Sequence, residues 1–144
     1  MSASGKRGLR NNNPGNIRIS DTTWLGKVPV SQNTDGTFEQ FTTMEYGARA
    51  MLKILITYID TYHLITIPQI INRWAPASDG NNPATYAQYV SDATGISLTT
   101  ILDTSYSPRL INIGAAMAQV ENGKTEALAA GVDSNLFAQA WNLI

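Results

Sequence analysis

Two kinds of residue in this chain could do chemistry: carboxylates at helix ends, and a run of carboxamides flanked by arginines. Glu121 closes an apolar stretch, Leu110 to Val120, immediately before Asn122-Gly123. The C-terminal end of a helix carries partial negative charge, which disfavours an anion there. Packing against Met117 or Val120 would add desolvation. Both effects favour the protonated carboxyl, the form a general acid needs to protonate a leaving oxygen. The plain alternative is a solvated Glu at a fraying helix end. Glu45 is the second candidate acid, and it has a strong structural competitor. Thr42-Thr43-Met44-Glu45 has the form of a capping box, in which Glu reaches back to a backbone N–H. With Thr43 as the cap, Glu45 still lies in the first turn, where the dipole favours it. Glu39 lies in an extended stretch and reads as a solvent-facing strand residue.

Asn11-Asn12-Asn13-Pro14-Gly15-Asn16 is turn chemistry throughout, with Arg10 and Arg18 at its flanks. Clustered carboxamides beside guanidinium groups suit sugars or phosphates. The alternative is a turn whose Asn side chains bond their own backbone. Trp74, Tyr86 and Tyr89 could stack on sugar faces, but at helical spacing they read as core with satisfied polar tips. His63, at the end of a long helix, reads as a dipole or solvent residue. Asp103 reads as helix-terminal and solvated. Lys6, Arg7, Arg10 and Arg18 all precede the first acid, Asp21, and form a basic arm. That arm could touch phosphate. It lacks the interleaved aromatics of a single-strand platform, which argues against nucleic acid as a partner.

The composition narrows the classes. A chain of 144 residues is one domain at roughly 100–200 residues each. With 43% hydrophobic and 15% charged residues it can build a core, and its net charge of −1 does not suit a polyanion binder. The absence of cysteine excludes a disulfide framework, a thiol nucleophile and a Cys-based zinc site. A single His excludes a multi-His metal site, and no cofactor site is visible. No apolar run is long enough to span a membrane, and the first residues lack the apolar region of a secretory signal.

The elements that must position these residues follow from spacing and breakers. Residues 1–10 read as a loose, flexible arm, and 11–144 as the folded domain. Ile17–Ile19, Lys27–Val30 and Thr37–Phe41 are extended candidates, and Asp35-Gly36 signals a short hairpin. Ala48, Met51, Leu52, Leu55, Ile59 and Tyr62 mark a central helix over about 43–62. Thr66-Ile67-Pro68 opens a second helix, closed at Ala75-Pro76. Asn82-Pro83 opens a third, closed by Gly95, and a short helix is expected near 99–103. Ser107-Pro108 opens the helix that ends at Glu121, with Leu110, Ile111, Gly114, Met117 and Val120 on its inner face. Two shorter helices are expected near 125–130 and 134–142. The predicted class is mainly α with a small N-terminal β element.

These residues also carry a family likeness. Arg7-Gly8-Leu9-Arg10-Asn11-Asn12-Asn13-Pro14-Gly15-Asn16-Ile17-Arg18 resembles the opening of a family of bacteriophage and prophage lysozyme-like, peptidoglycan-degrading proteins. Phe38, Phe41 and Glu45-Tyr46-Gly47-Ala48-Arg49-Ala50 continue the likeness in order. So do Thr66-Ile67, Ile70-Ile71, Arg73-Trp74-Ala75-Pro76 and the terminal Glu121-Asn122-Gly123, so that it runs over roughly residues 7–144. The resemblance implies a lysozyme-like (α+β) domain in which Glu121 is the general acid of a lysozyme or lytic transglycosylase. In such enzymes the Asn/Gly-rich segment follows the Glu, whereas here it precedes it. A circular permutation is therefore expected, with Glu121 close to the Asn11–Arg18 segment. Val120 stands where many relatives carry His, and the loop after Trp74 holds a single acid, Asp79.

The expected reaction is cleavage of the β-1,4 bond between N-acetylmuramic acid and N-acetylglucosamine. Glu45 or Glu39 would be the second carboxylate of a hydrolase. Without one, muramic O6 closes on C1 and Glu121 serves as base as well as acid. The hydrolase is the favoured label. Asn13, Asn16, Arg18 and Trp74 are expected to line the sugar site. The expected partner is bacterial peptidoglycan, with other virion proteins besides, and the place of action is the virion or the host, on the cell wall. The rival reading is a catalytically inactive virion structural or wall-binding protein of the same fold.

Overall fold

The computed structural model describes residues 7–144. Lys6 and the rest of residues 1–6 lie outside the described residues. The rest of the expected arm is ordered: Arg7–Arg10 form a one-turn helix, α1. Two contacts explain the order. Arg7 grips Asp35 through Nε and Nη2, both at 2.8 Å. Gly8 is buried where a Cβ would lie 2.5 Å from Asn122 Oδ1, so the turn sits directly on the end of a helix far along the chain.

The helices follow their breakers closely. They are α2 (Met44–Asp60), α3 (Ile67–Trp74), α4 (Pro83–Thr94), α5 (Ser107–Asn122), α6 (Lys124–Ala129) and α7 (Ser134–Trp141). Side chains cap four of them. Thr43, Thr66, Asn82 and Asp133 accept from the backbone N–H of Tyr46, Gln69, Thr85 and Leu136, satisfying donors that the first helical turn leaves orphaned. Thr43, and not Thr42, is therefore the cap of α2. Pro sits in the first turn of α3, α4 and α5, where its missing N–H costs nothing.

Helices α2 and α5 form the centre. Helix α2 packs on α7, α5 and α3, while α5 is surrounded by α7, α4, α6, α2 and α1. Being enclosed on several sides, α5 buries Ile113, Ala115, Ala116 and Ala118 in addition to Leu110, Gly114 and Met117. Ile111 and Val120, expected on its inner face, are only half-buried. Residues 99–103 do not form the expected helix. The N–H of buried Leu102 bonds the Ile65 carbonyl at 2.7 Å, which pins this stretch as a strap against the α2–α3 connection. Asp103 lies in that strap and accepts from Ser105 N at 2.8 Å.

No sheet forms among the described residues. The expected hairpin is reduced to two isolated antiparallel bridges, Arg18 with Phe38 and Lys27 with Phe41. Segment 37–41 is the middle member, bonded to Ile17 and Ile19 on one side and to Val28 on the other. Pairing stops at Pro29, because Val30–Gln32 turns into a 3-10 helix. The Asp35-Gly36 corner is held by side chains: Asn33 Oδ1 accepts from both backbone N–H groups, and Asp35 Oδ1 accepts from Thr37 and Phe38.

Candidate active site around Glu121

Glu121 stands in the last turn of α5 and is half-buried. Its Oε2 accepts from the Tyr86 hydroxyl at 2.9 Å and from Trp74 Nε1 at 3.2 Å. Its Oε1 accepts from Asn16 Nδ2 at 3.4 Å, and the same amide reaches the Glu121 carbonyl at 3.4 Å. Four elements therefore converge on one carboxylate: the turn at 11–16, the end of α3, the first turn of α4 and the end of α5.

The local sequence explains why they meet. Asn122, next to the acid, is buried and donates to the Pro14 carbonyl at 2.8 Å and the Ala118 carbonyl at 2.9 Å. It ties the start of the folded chain to its last third. Gly47 of α2 lets the Asn12 carbonyl and the Pro14 ring approach the helix backbone, where any Cβ would collide with them. Asn12 and Asn16 adopt left-handed backbone, at φ 52° and 49°. The turn is thus pressed between α2 and α5, with Asn16 facing the acid.

Tyr86 is buried in the core. Burial, followed by the charge of Glu121 and the bond to it, pushes its hydroxyl well above the usual phenol range, against a smaller opposing effect from Trp74. It therefore stays a neutral donor at any physiological pH. Its second contact, Met117 O at 3.3 Å, is longer, so its proton goes to Glu121. Tyr89, one turn along α4, donates to Gln119 Oε1 at 2.6 Å and closes the same seam. The expectation that the polar tips of Tyr86 and Tyr89 would be satisfied from the core holds. That the tip of Tyr86 meets Glu121 was missed. The available signal was a buried phenol needing an acceptor, opposite a helix that offers one acid.

The other candidates are distributed as follows. Trp74 and Asn16 join the cluster. Arg18 is exposed two residues from Asn16, with its guanidinium carbon 5.4 Å from the centre of the Phe38 ring. Asn13 does not line a surface. It is fully buried, donating to Ile17 O at 2.9 Å and Glu39 O at 3.0 Å and accepting from Ile17 N at 3.0 Å, so it builds the turn. Asn11 likewise bonds Asp35 and Gln40.

Glu39 is a correction. It is 0% exposed, not solvent-facing, because its Oε2 pairs with Lys27 Nζ at 2.9 Å and accepts from Ser20 N at 3.2 Å. Lys27 also donates to the Ser20 and Thr22 carbonyls, so the pair staples the 20–27 loop. Among the described residues the side chains bonded to the Glu121 carboxylate are Asn16, Trp74 and Tyr86, and Glu45 is not one of them. At about 100° per residue it lies about 160° around α2 from Gly47, the residue that meets the Asn turn. It shares its flank with Arg49, whose Nε donates to the Leu143 carbonyl beyond α7. Within the basic arm, Arg7 is committed to Asp35. His63 is exposed just past α2, at φ 56°.

Among the described residues no group of His, Asp and Glu could hold a metal ion, and no helix is long and apolar enough to cross a membrane. Fold and site together define a mainly α-helical protein in which a turn near the start of the chain meets one half-buried carboxylate at the end of α5. The chain belongs to the family of Protein P5 of Pseudoalteromonas phage PM2: the two are 40% identical over 120 residues, 81% of this chain and 71% of that protein. No protein-family model matches the chain.

Proposed function

We propose that the protein cleaves glycan strands of bacterial peptidoglycan on a circularly permuted lysozyme-like scaffold, with Glu121 as the general acid. The observation that carries this reading is the contact between Glu121 and Asn16, 105 positions apart in the chain. It supports the expected pairing of an acid at a helix end with an Asn-rich turn. Glu121 is half-buried, so the carboxyl can meet a substrate while its neighbours fix its orientation. Trp74, Asn16 and exposed Arg18 are the surrounding groups suited to sugar faces, hydroxyls and carboxylates. Descent from a phage family fits a lysin that acts from the virion or inside the host.

In the reaction, Glu121 gives its proton to the bridging oxygen as the C1–O bond breaks, and N-acetylglucosamine leaves with a free 4-hydroxyl. A hydrolase needs a second carboxylate about 5–10 Å away across the bond. Glu39 is buried against Lys27, and Glu45 sits about 160° around α2 from Gly47, the residue that meets the Asn turn. Their placement favours the other route. Muramic O6 attacks C1, its proton passes to the Glu121 carboxylate, and a 1,6-anhydro end forms without water.

A zymogram on purified peptidoglycan, followed by mass spectrometry of the muropeptides, tests both statements. Clearing with anhydro ends supports the reading as written. Clearing with reducing ends keeps Glu121 as the acid and restores a hydrolase. No clearing leaves the virion structural or wall-binding role, which Val120, where the lysozyme-like family that the sequence resembles often has His, favours.

A further inference from the structure

We infer that Tyr86 is a positioning residue for the acid: it fixes Oε2 of Glu121, so that Oε1 is the oxygen that transfers the proton. This rests on the reading of Glu121 as the general acid. The two carboxylate oxygens are held unequally. Oε2 takes two donors, Tyr86 at 2.9 Å and Trp74 at 3.2 Å. Oε1 takes one, from Asn16, at 3.4 Å. A carboxyl proton has to sit on an oxygen with a free lone pair pointing at the substrate. Oε2 is turned inward, toward a hydroxyl nine-tenths or more buried. The lightly bonded Oε1, on a half-buried side chain, meets the Asn16 amide at 3.4 Å and has its remaining lone pair for a substrate.

Tyr86 suits this task better than a flexible donor would. Its ring is locked in the α4–α5 seam, and its hydroxyl keeps its proton because burial and the Glu121 charge both oppose ionisation. It has one proton to give, and the shorter of its two contacts is the one to Glu121. The side chain therefore sets the direction of the carboxyl plane and does not exchange protons with the substrate.

The experiment compares wild type, Y86F and E121Q on two substrates. One is purified wall glycan. The other is an aryl β-glycoside of a peptidoglycan oligosaccharide, whose phenolate leaves without being protonated. Phe fills the space of Tyr, and near-ultraviolet circular dichroism checks the fold. Y86F is expected to lose about tenfold or more in kcat on wall glycan with KM unchanged, a loss in the lower range for a general-acid contribution. On the aryl glycoside the loss should be clearly smaller, because the leaving phenolate needs no proton and only the O6 proton remains for Glu121 to take. A folded Y86F that loses equally on both substrates, or on neither, overturns the positioning role. An E121Q protein that still cleaves wall glycan at the wild-type rate overturns the reading of Glu121 itself, and the inference with it.

Discussion

The side-chain amide of Asn122 donates to the carbonyl of Pro14 at 2.8 Å, across 108 positions of sequence. This bond and its partner to Ala118 hold the Asn turn against the helix that presents Glu121. Replacing Asn122 with Ala leaves the buried Pro14 carbonyl without its donor, while the Ala118 carbonyl keeps the helical N–H of residue 122. An unsatisfied buried group costs about 1–3 kcal/mol, so N122A is expected to lose about 1–3 kcal/mol of stability in urea denaturation. Glycan cleavage should fall further than the folded fraction does, because Asn16 and Glu121 are no longer in register. A stability loss under about 0.5 kcal/mol would show that the Asn turn and the end of α5 are held together by something else.

The Lys27–Glu39 pair gives a second, independent expectation. Glu39 is wholly buried, and the Lys27 side chain is 11% exposed. Breaking one half of a buried pair strands a charge, which costs about 3–5 kcal/mol, whereas replacing both halves with apolar side chains is often close to neutral. K27M should therefore be strongly destabilised, and K27M/E39M should recover most of the loss. Equal melting temperatures for the single and double variants would contradict the pairing. Because this pair staples the 20–27 loop and neither member bonds Glu121, K27M should reduce activity only in proportion to the fraction folded.

Asp35 carries the expected pH dependence. Arg7, Asn11 and two backbone N–H groups hold its carboxyl well below the usual carboxylate range. A group depressed in the folded state adds stability at pH values above its ordinary value, near 4, and that stability drains away as pH falls toward the folded value. The gap in stability between wild type and D35N should be full at pH 6 and should narrow steadily from about pH 4 down to pH 2. A gap that stays constant over that range would mean the Arg7–Asp35 contact does not form in solution.

The helical part of this fold was legible because it is locally determined. Thr66, Asn82 and Asp133 sit where a polar cap meets an apolar stripe, Pro68, Pro83 and Pro108 suit first turns, and Gly95 and Gly123 end helices. The N-terminal third was not, because its order comes from distant partners. Helix α1 exists through Asp35 and Asn122, and Glu39 is buried only because Lys27 arrives from another segment. Periodicity over short windows carries no trace of such contacts. The site was half legible. Glu121, Asn16 and Trp74 were named from residue type and family likeness, and they meet. Asn13 was named from the same turn but is consumed by the backbone it folds. Tyr86 was read as core, which it is, but its hydroxyl points at the acid.

The measurement closest to the central claim is the initial rate of glycan release from purified sacculi by folded E121Q beside wild type, at equal concentrations and matched circular dichroism. Gln keeps the size of the side chain and accepts the Tyr86 and Trp74 donors, but it has no carboxyl proton to give. The account predicts a rate at least about 100-fold lower, in the range general-acid catalysis contributes. An E121Q rate within about twofold of wild type would contradict it.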